Sequence, residues 1–218
     1  MTTVPGRGLA VPVVAAALVL SVVVGGLTLV MFLRDVVHFQ CDYSDVGESA
    51  PGSFFCSDGN GYILPVIDIF FVWTLVCGVA VIAMSAWVPP AARPRLLSLV
   101  SLAPMAYLSK IAAEATGRLR STVQPHDFWT GPMLAATVLL AAFAVIVLAL
   151  LAVQRGSARK VLYIAGGTLL LAGIVAQPGM VSAAIVSSGV FGASFILDRA
   201  RFESVPAGST GPSRRAAP

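Results

Sequence analysis

Between Pro132 and Val153 the chain reads PMLAATVLLAAFAVIVLALLAV, a run with no ionisable side chain and a single hydroxyl. A soluble helix needs a polar face, and this segment has none. It has the roughly 20 apolar residues that cross a hydrocarbon layer about 30 Å thick. Comparable runs cover Leu9–Leu33 and Tyr62–Val88. The first of these exceeds the apolar core of a cleaved leader, about 7–15 residues, and lacks a clear small-residue cleavage site, so it reads as a retained span. The chain is 57% apolar and 11% charged, against about 25% charged in soluble domains. Its mean hydropathy is +0.89. The length suits one multi-span domain.

Two further regions need argument. Leu96–Thr116 (LLSLVSLAPMAYLSKIAAEAT) is long enough to cross but carries Pro104, Lys110 and Glu114. At 100° per residue, Lys110 and Glu114 fall close to Leu99, Ala103, Ala106 and Ala113, while the serines point elsewhere. That pattern suits a helix–helix contact better than a helix lying flat on the interface. Residues 161–197 would make one helix of about 55 Å, too long for one crossing. Gln177-Pro178-Gly179 near the middle breaks it, because proline lacks the N–H and glycine accepts turn conformations. Two spans, 161–176 and 180–197, are expected, with a re-entrant pair as the rival.

Charge placement sets the count. With six spans (about 9–33, 62–88, 96–116, 132–153, 161–176 and 180–197) and both termini cytoplasmic, ten basic residues lie inside and three (Arg34, Arg118, Arg120) outside. Treating 161–197 as one crossing gives six inside and seven outside and removes the bias. The expected fold is therefore an all-α polytopic transmembrane bundle in a plasma (inner) membrane. Twelve arginines against two lysines suit a GC-rich bacterial genome. Residues 198–218, rich in Pro, Gly and Ser, are expected to form a disordered cytoplasmic tail.

The loop 34–61 then faces outward. It carries Asp42, Asp45, Glu48 and Asp58 and two of the three cysteines. Disulfides persist outside the membrane. A Cys41–Cys56 bridge closing a loop of this size is worth about 3 kcal/mol by chain entropy. A thiol relay would want a C-x-x-C pair and a second exchanging pair, and Cys77 is deep in the second span. SDGNG lacks the spacing of a helix-loop-helix calcium site. His38 and His126 lie in different outer loops without a third ligand, so no metal site is expected. Within the spans there is no histidine to hold a haem or to serve as base for a serine nucleophile in Gly192-Ala193-Ser194-Phe195. That stretch supplies small residues four apart, Ser188 with Gly192 and Gly189 with Ala193, as in close helix packing. No cofactor is implied, and nothing resembles a basic nucleic-acid surface.

The strongest candidate site is Asp68, Lys110 and Glu114. An ionisable group in hydrocarbon costs about 2.5–3.5 kcal/mol on insertion scales and needs a partner, a wet path or a route to the interface. Asp68 and Lys110 each lie about 9 Å from the outer end of their spans by helix rise. Equal depth and opposite sign predict an Asp68–Lys110 pair with Glu114 one turn above. The cluster serves either helix register or movement of a proton or solute. The sequence supports a small transport-type protein or membrane-complex subunit in the lipid bilayer, with a membrane-protein partner or homo-oligomer as its company. The alternatives are a membrane thiol oxidoreductase or other enzyme, and a structural envelope protein that binds a partner through the disulfide loop. No catalytic residue can be assigned.

Overall fold

A computed structural model describes residues 7–44, 53–56, 58–119, 132–153 and 157–203. Seven α-helices follow in order: α1 (Arg7–Met31), α2 (Ile63–Ala86), α3 (Arg93–Val100), α4 (Ala103–Leu119), α5 (Pro132–Ala152), α6 (Ser157–Ala176) and α7 (Val181–Glu203). With α3 and α4 counted as one broken span, six segments are long and apolar enough to cross a membrane. Between α1 and α2 two short strands, β1 (Cys41–Ser44) and β2 (Ser53–Cys56), form an antiparallel hairpin in which Cys41 faces Cys56.

The centre of the bundle is α7, with α1, α3, α4 and α6 packed around it. Its composition explains the placement. Ser182, Ala183, Ala184, Ser187, Ala193 and Ser194 are fully buried; small side chains let neighbouring backbones approach, which drives helix association where lipid offers no hydrophobic gain. The closest approach is to α1, which runs antiparallel to it. A Cβ on Gly25 would collide with Ser182, and one on Gly189 with the Cβ of Ala17. Of the two small-residue pairs in the sequence, Gly189 with Ala193 is the contact face, whereas a Cβ on Gly192 would meet nothing within 4 Å.

The outer helices bury one stripe each and leave Leu and Val on the other side. On α2 the stripe is Val66, Ile69, Trp73, Cys77, Ala80 and Met84, stepping by three or four as a 3.6-residue period requires. Trp73 is thus a core residue in contact edge-to-face with Phe70, not an interface anchor. The third span breaks at Ser101–Leu102. Pro104 cannot donate a backbone bond to its own preceding turn. The Leu102 N–H bonds the Leu99 carbonyl, and the Ser98 carbonyl left over accepts the Ser101 hydroxyl at 2.6 Å.

Between α6 and α7, Gln177 to Met180 turn the chain through a short 3-10 segment, Pro178–Met180. A Cβ on Gly179 would come to 2.6 Å from the Phe32 side chain, so only glycine lets the turn sit against α1. Helix α7 continues past Leu197 to Glu203, so Asp198 is helical and buried rather than the start of a loose tail. The remaining tail, 204–218, lies outside the described residues.

Candidate functional site

The loop after α1 is built from backbone irregularities. The last turn widens to a π-helix over Phe32–Val36, with the Val37 N–H reaching the Phe32 carbonyl at 2.9 Å. His38 and Gln40 then take φ of 51° and 58°, a region that side chains other than glycine enter seldom. These two residues swing the chain into β1. A disulfide joins Cys41 to Cys56, and the buried Tyr62 at the head of α2 donates its hydroxyl toward the Cys41 sulfur at 3.4 Å. Partial burial holds the His38 imidazole below its ordinary pKa, opposed by the negative charge of Asp35. His126 lies outside the described residues. Among the described residues no three His, Cys, Asp or Glu side chains come together. Cys77 is a buried free thiol in the core stripe of α2.

Asp68, Lys110 and Glu114 do lie near one another, but not as the sequence reading has them. All three are exposed, on the outer surface formed by α2 and α4, rather than buried in the bundle. Lys110 pairs with Glu114 at 3.4 Å, and their side chains are 66% and 57% exposed. Among the described residues Asp68 accepts one side-chain bond, from the Tyr107 hydroxyl at 3.4 Å. The Asp68–Lys110 ion pair is not made within the chain. Glu114 sits one turn closer to the helix end, within reach of the lysine on the same helix face. Helix rise fixes height but not which neighbour a side chain turns toward.

Beside this cluster, α2 and α4 leave a groove of about 370 Å³ lined by Val72, Trp73, Val76, Ala103, Pro104 and Tyr107. It exists because the α3–α4 break and the small side chains of Ala103 and Ala106 keep α4 from filling the space against α2. The rest of the small-residue stripe is bare as well: Leu99, Ala106 and Ala113 are all exposed.

A second polar constellation lies at the other end of the bundle, beside the start of α1 and the end of α7. Arg159 and Asp198, 4% and 7% exposed, form an ion pair at 2.8 Å. The same guanidinium donates to the carbonyls of Leu150 and Val153 at 2.8 and 2.7 Å, two groups that the end of α5 leaves without helical partners. Its remaining nitrogen approaches the Tyr163 hydroxyl at 3.5 Å. The Pro94 carbonyl only accepts, so the one Ser194 proton goes there and the Tyr163 hydroxyl must be the donor to Ser194. Tyr163 gives its proton to Ser194 at 2.9 Å, and Ser194 gives its own to the Pro94 carbonyl at 2.6 Å. Ser98 completes the cluster at 2.8 Å from the Ser194 hydroxyl. One connected set of bonds therefore ties α3, α5, α6 and α7 together. Ser194 is fully buried and spends its proton on a carbonyl, which suits a clamp and not a nucleophile.

By charge placement alone Arg159 is only a basic residue at the inner face and Asp198 the first residue of the tail. A signal was present. Arg159 and Asp198 are nearly equidistant from Pro178, as are Tyr163 and Ser194, so a hairpin folded at Pro178 brings each pair to one height.

No protein-family model matches the chain, and neither the curated proteins nor the solved structures contain a significant match to it.

Proposed function

We propose that the chain is a six-span plasma-membrane protein of bacterial type with both termini in the cytoplasm, and that it serves as a subunit of a membrane complex, docking a partner through the face formed by α2 and α4. The sidedness rests on the ten-to-three distribution of basic residues. Discounting Arg159, which Asp198 neutralises, leaves the bias standing.

The observation that carries the docking reading is the position of Asp68. It is an exposed carboxylate on the outside of the bundle, between Leu64, Phe71 and Leu75, which are themselves 74%, 63% and 54% exposed. Six residues below Tyr62, it lies about 9 Å into the span. A short aspartate has no stem with which to reach the interface, unlike lysine. Leaving it against acyl chains costs about 2.5–3.5 kcal/mol on insertion scales, whereas a protein surface with a cationic group at that height removes the penalty. The outer location also separates the cluster from any path through the bundle interior, so docking accounts for it more directly than conduction does.

The test is a photo-crosslinking amino acid placed at Leu75 on the docking face and, for comparison, at Leu148 on α5, both exposed. Irradiation in native membranes should give a protein adduct of defined mass from position 75 and lipid adducts alone from position 148. Lipid adducts alone from both positions would refute the docking reading.

A further inference from the structure

Two halves of an ion pair share one face and do not meet. Asp68 stands on α2 and Lys110 on α4, at similar heights. Lys110 is six residues from Thr116, where the apolar run ends in the sequence, and Asp68 six residues from Tyr62, so each lies about 9 Å deep by helix rise. Among the described residues the carboxylate has a single long bond, from Tyr107 at 3.4 Å, and the lysine has Glu114 at 3.4 Å. Among the described side chains of the face, Asp68, Lys110 and Glu114 carry two negative charges and one positive.

Two copies inserted in the same orientation can be related by a two-fold axis only along the membrane normal. Such a rotation preserves height. It also exchanges the left and right edges of the contact face, so α2 of each copy meets α4 of the other. Opposite charges on the two edges at one height therefore become partners across the axis, twice. We propose that the partner docked on the α2/α4 face is a second copy of this chain, with Asp68 of each protomer bound to the partner's Lys110. The inference rests on that face being a docking surface.

Three features of the face fit this occupant. The bridges are self-complementary, as an isologous contact demands. Lys110 then stands between Glu114 of its own helix and the second carboxylate, and each copy's Asp68 gains a cation. The groove lies between the two charged edges, where the axis would pass, and its lining is apolar apart from Tyr107 and Lys110. Phe71 and Leu75, exposed on α2 beside Asp68, are the apolar side chains that a second copy presents to it. The exposed stripe of Leu99, Ala106 and Ala113 allows α4 to be approached closely.

The experiment uses the full chain in lipid vesicles, labelled at the C-terminus with donor or acceptor fluorophores in separate preparations that are then mixed. Wild type should give energy transfer that titrates with protein density in the bilayer. Asp68→Lys or Lys110→Asp alone should weaken self-association at least about tenfold, since each homodimer then holds two like-charge contacts. Mixed with each other, the two variants should recover energy transfer to within about threefold of wild type, because every contact in the heterodimer pairs opposite charges. Asp68→Asn should weaken association without that recovery. Thermal unfolding near that of wild type identifies variants that have folded. A wild type without energy transfer, single variants that associate as well as wild type, or a mixture no better than its components would each overturn the proposal. A monomeric wild type whose probe at Leu75 still captures a different protein would refute self-association while leaving the docking reading intact.

Discussion

Replacing Arg159 with leucine should be among the most damaging single changes in the described part of the chain. Arg159→Leu removes the 2.8 Å pair with Asp198 and strands a carboxylate that is 7% exposed. Breaking a buried pair from one side costs about 3–5 kcal/mol. The substitution also frees the carbonyls of Leu150 and Val153. A dry orphan costs about 1–3 kcal/mol, but Val153 lies just past the end of α5 and is only half-buried, so water can replace one bond. A loss of about 4–6 kcal/mol follows, a large part of a typical folding free energy of about 5–15 kcal/mol. Arg159→Lys keeps the charge but not the fork that serves Asp198 and the carbonyls together, and should lose about 1–2 kcal/mol. In the double variant Arg159→Leu/Asp198→Leu no charge is stranded, so its loss should be smaller than that of Arg159→Leu alone by at least about 2 kcal/mol. Reversible unfolding in mixed micelles, followed by far-ultraviolet ellipticity, measures all of these. A loss under about 1 kcal/mol for Arg159→Leu, or a double variant within about 0.5 kcal/mol of the sum of its singles, would refute the reading of these groups as a coupled clamp.

Three other expectations follow from the packing and the outer loop. Gly189→Val should lower stability by about 1–3 kcal/mol through collision with Ala17, with partial rescue by Ala17→Gly, while Gly192→Ala should be close to neutral; the same micelle titration reads all of these. Cys41 and Cys56 should resist alkylation in intact cells until a reductant is added, and Cys41→Ser should lower loop stability by up to about 3 kcal/mol, measured as faster amide exchange in residues 37–44. His38 has a folded-state pKa below its ordinary 6.5, so the unfolded loop binds the proton more readily. Its contribution is complete above pH 6.5 and is lost as pH falls through the window beneath that value. Protection factors at Val37 and Phe39, corrected for the intrinsic pH dependence of exchange, should therefore fall in acid, and His38→Asn, which tolerates the positive φ, should flatten that profile.

What the sequence made legible divides along one physical line. Hydrocarbon demands long apolar segments with satisfied backbones, so six helices and the break at Pro178 could be read residue by residue. The Pro104 break was visible as a residue but not as a division of the third span, because the outcome depends on Ser101 capping the Ser98 carbonyl. Side-chain partnership was harder. Height along a helix can be counted, but the lateral neighbour and the direction in which a stem turns cannot, and a matched height alone suggested Asp68 with Lys110. Arg159 and Asp198 have the same matched height plus a covalent turn that forces their helices to be adjacent, and there the pair is formed. The connection makes the difference: α6 and α7 are joined at Pro178 by a turn of a few residues, whereas α2 and α4 have the whole of α3 between them. Height-matching across a tight hairpin is thus a sound guide to contacts within a chain. Height-matching across a longer connection also admits partners in trans, the arrangement proposed for Asp68 and Lys110 on α2 and α4.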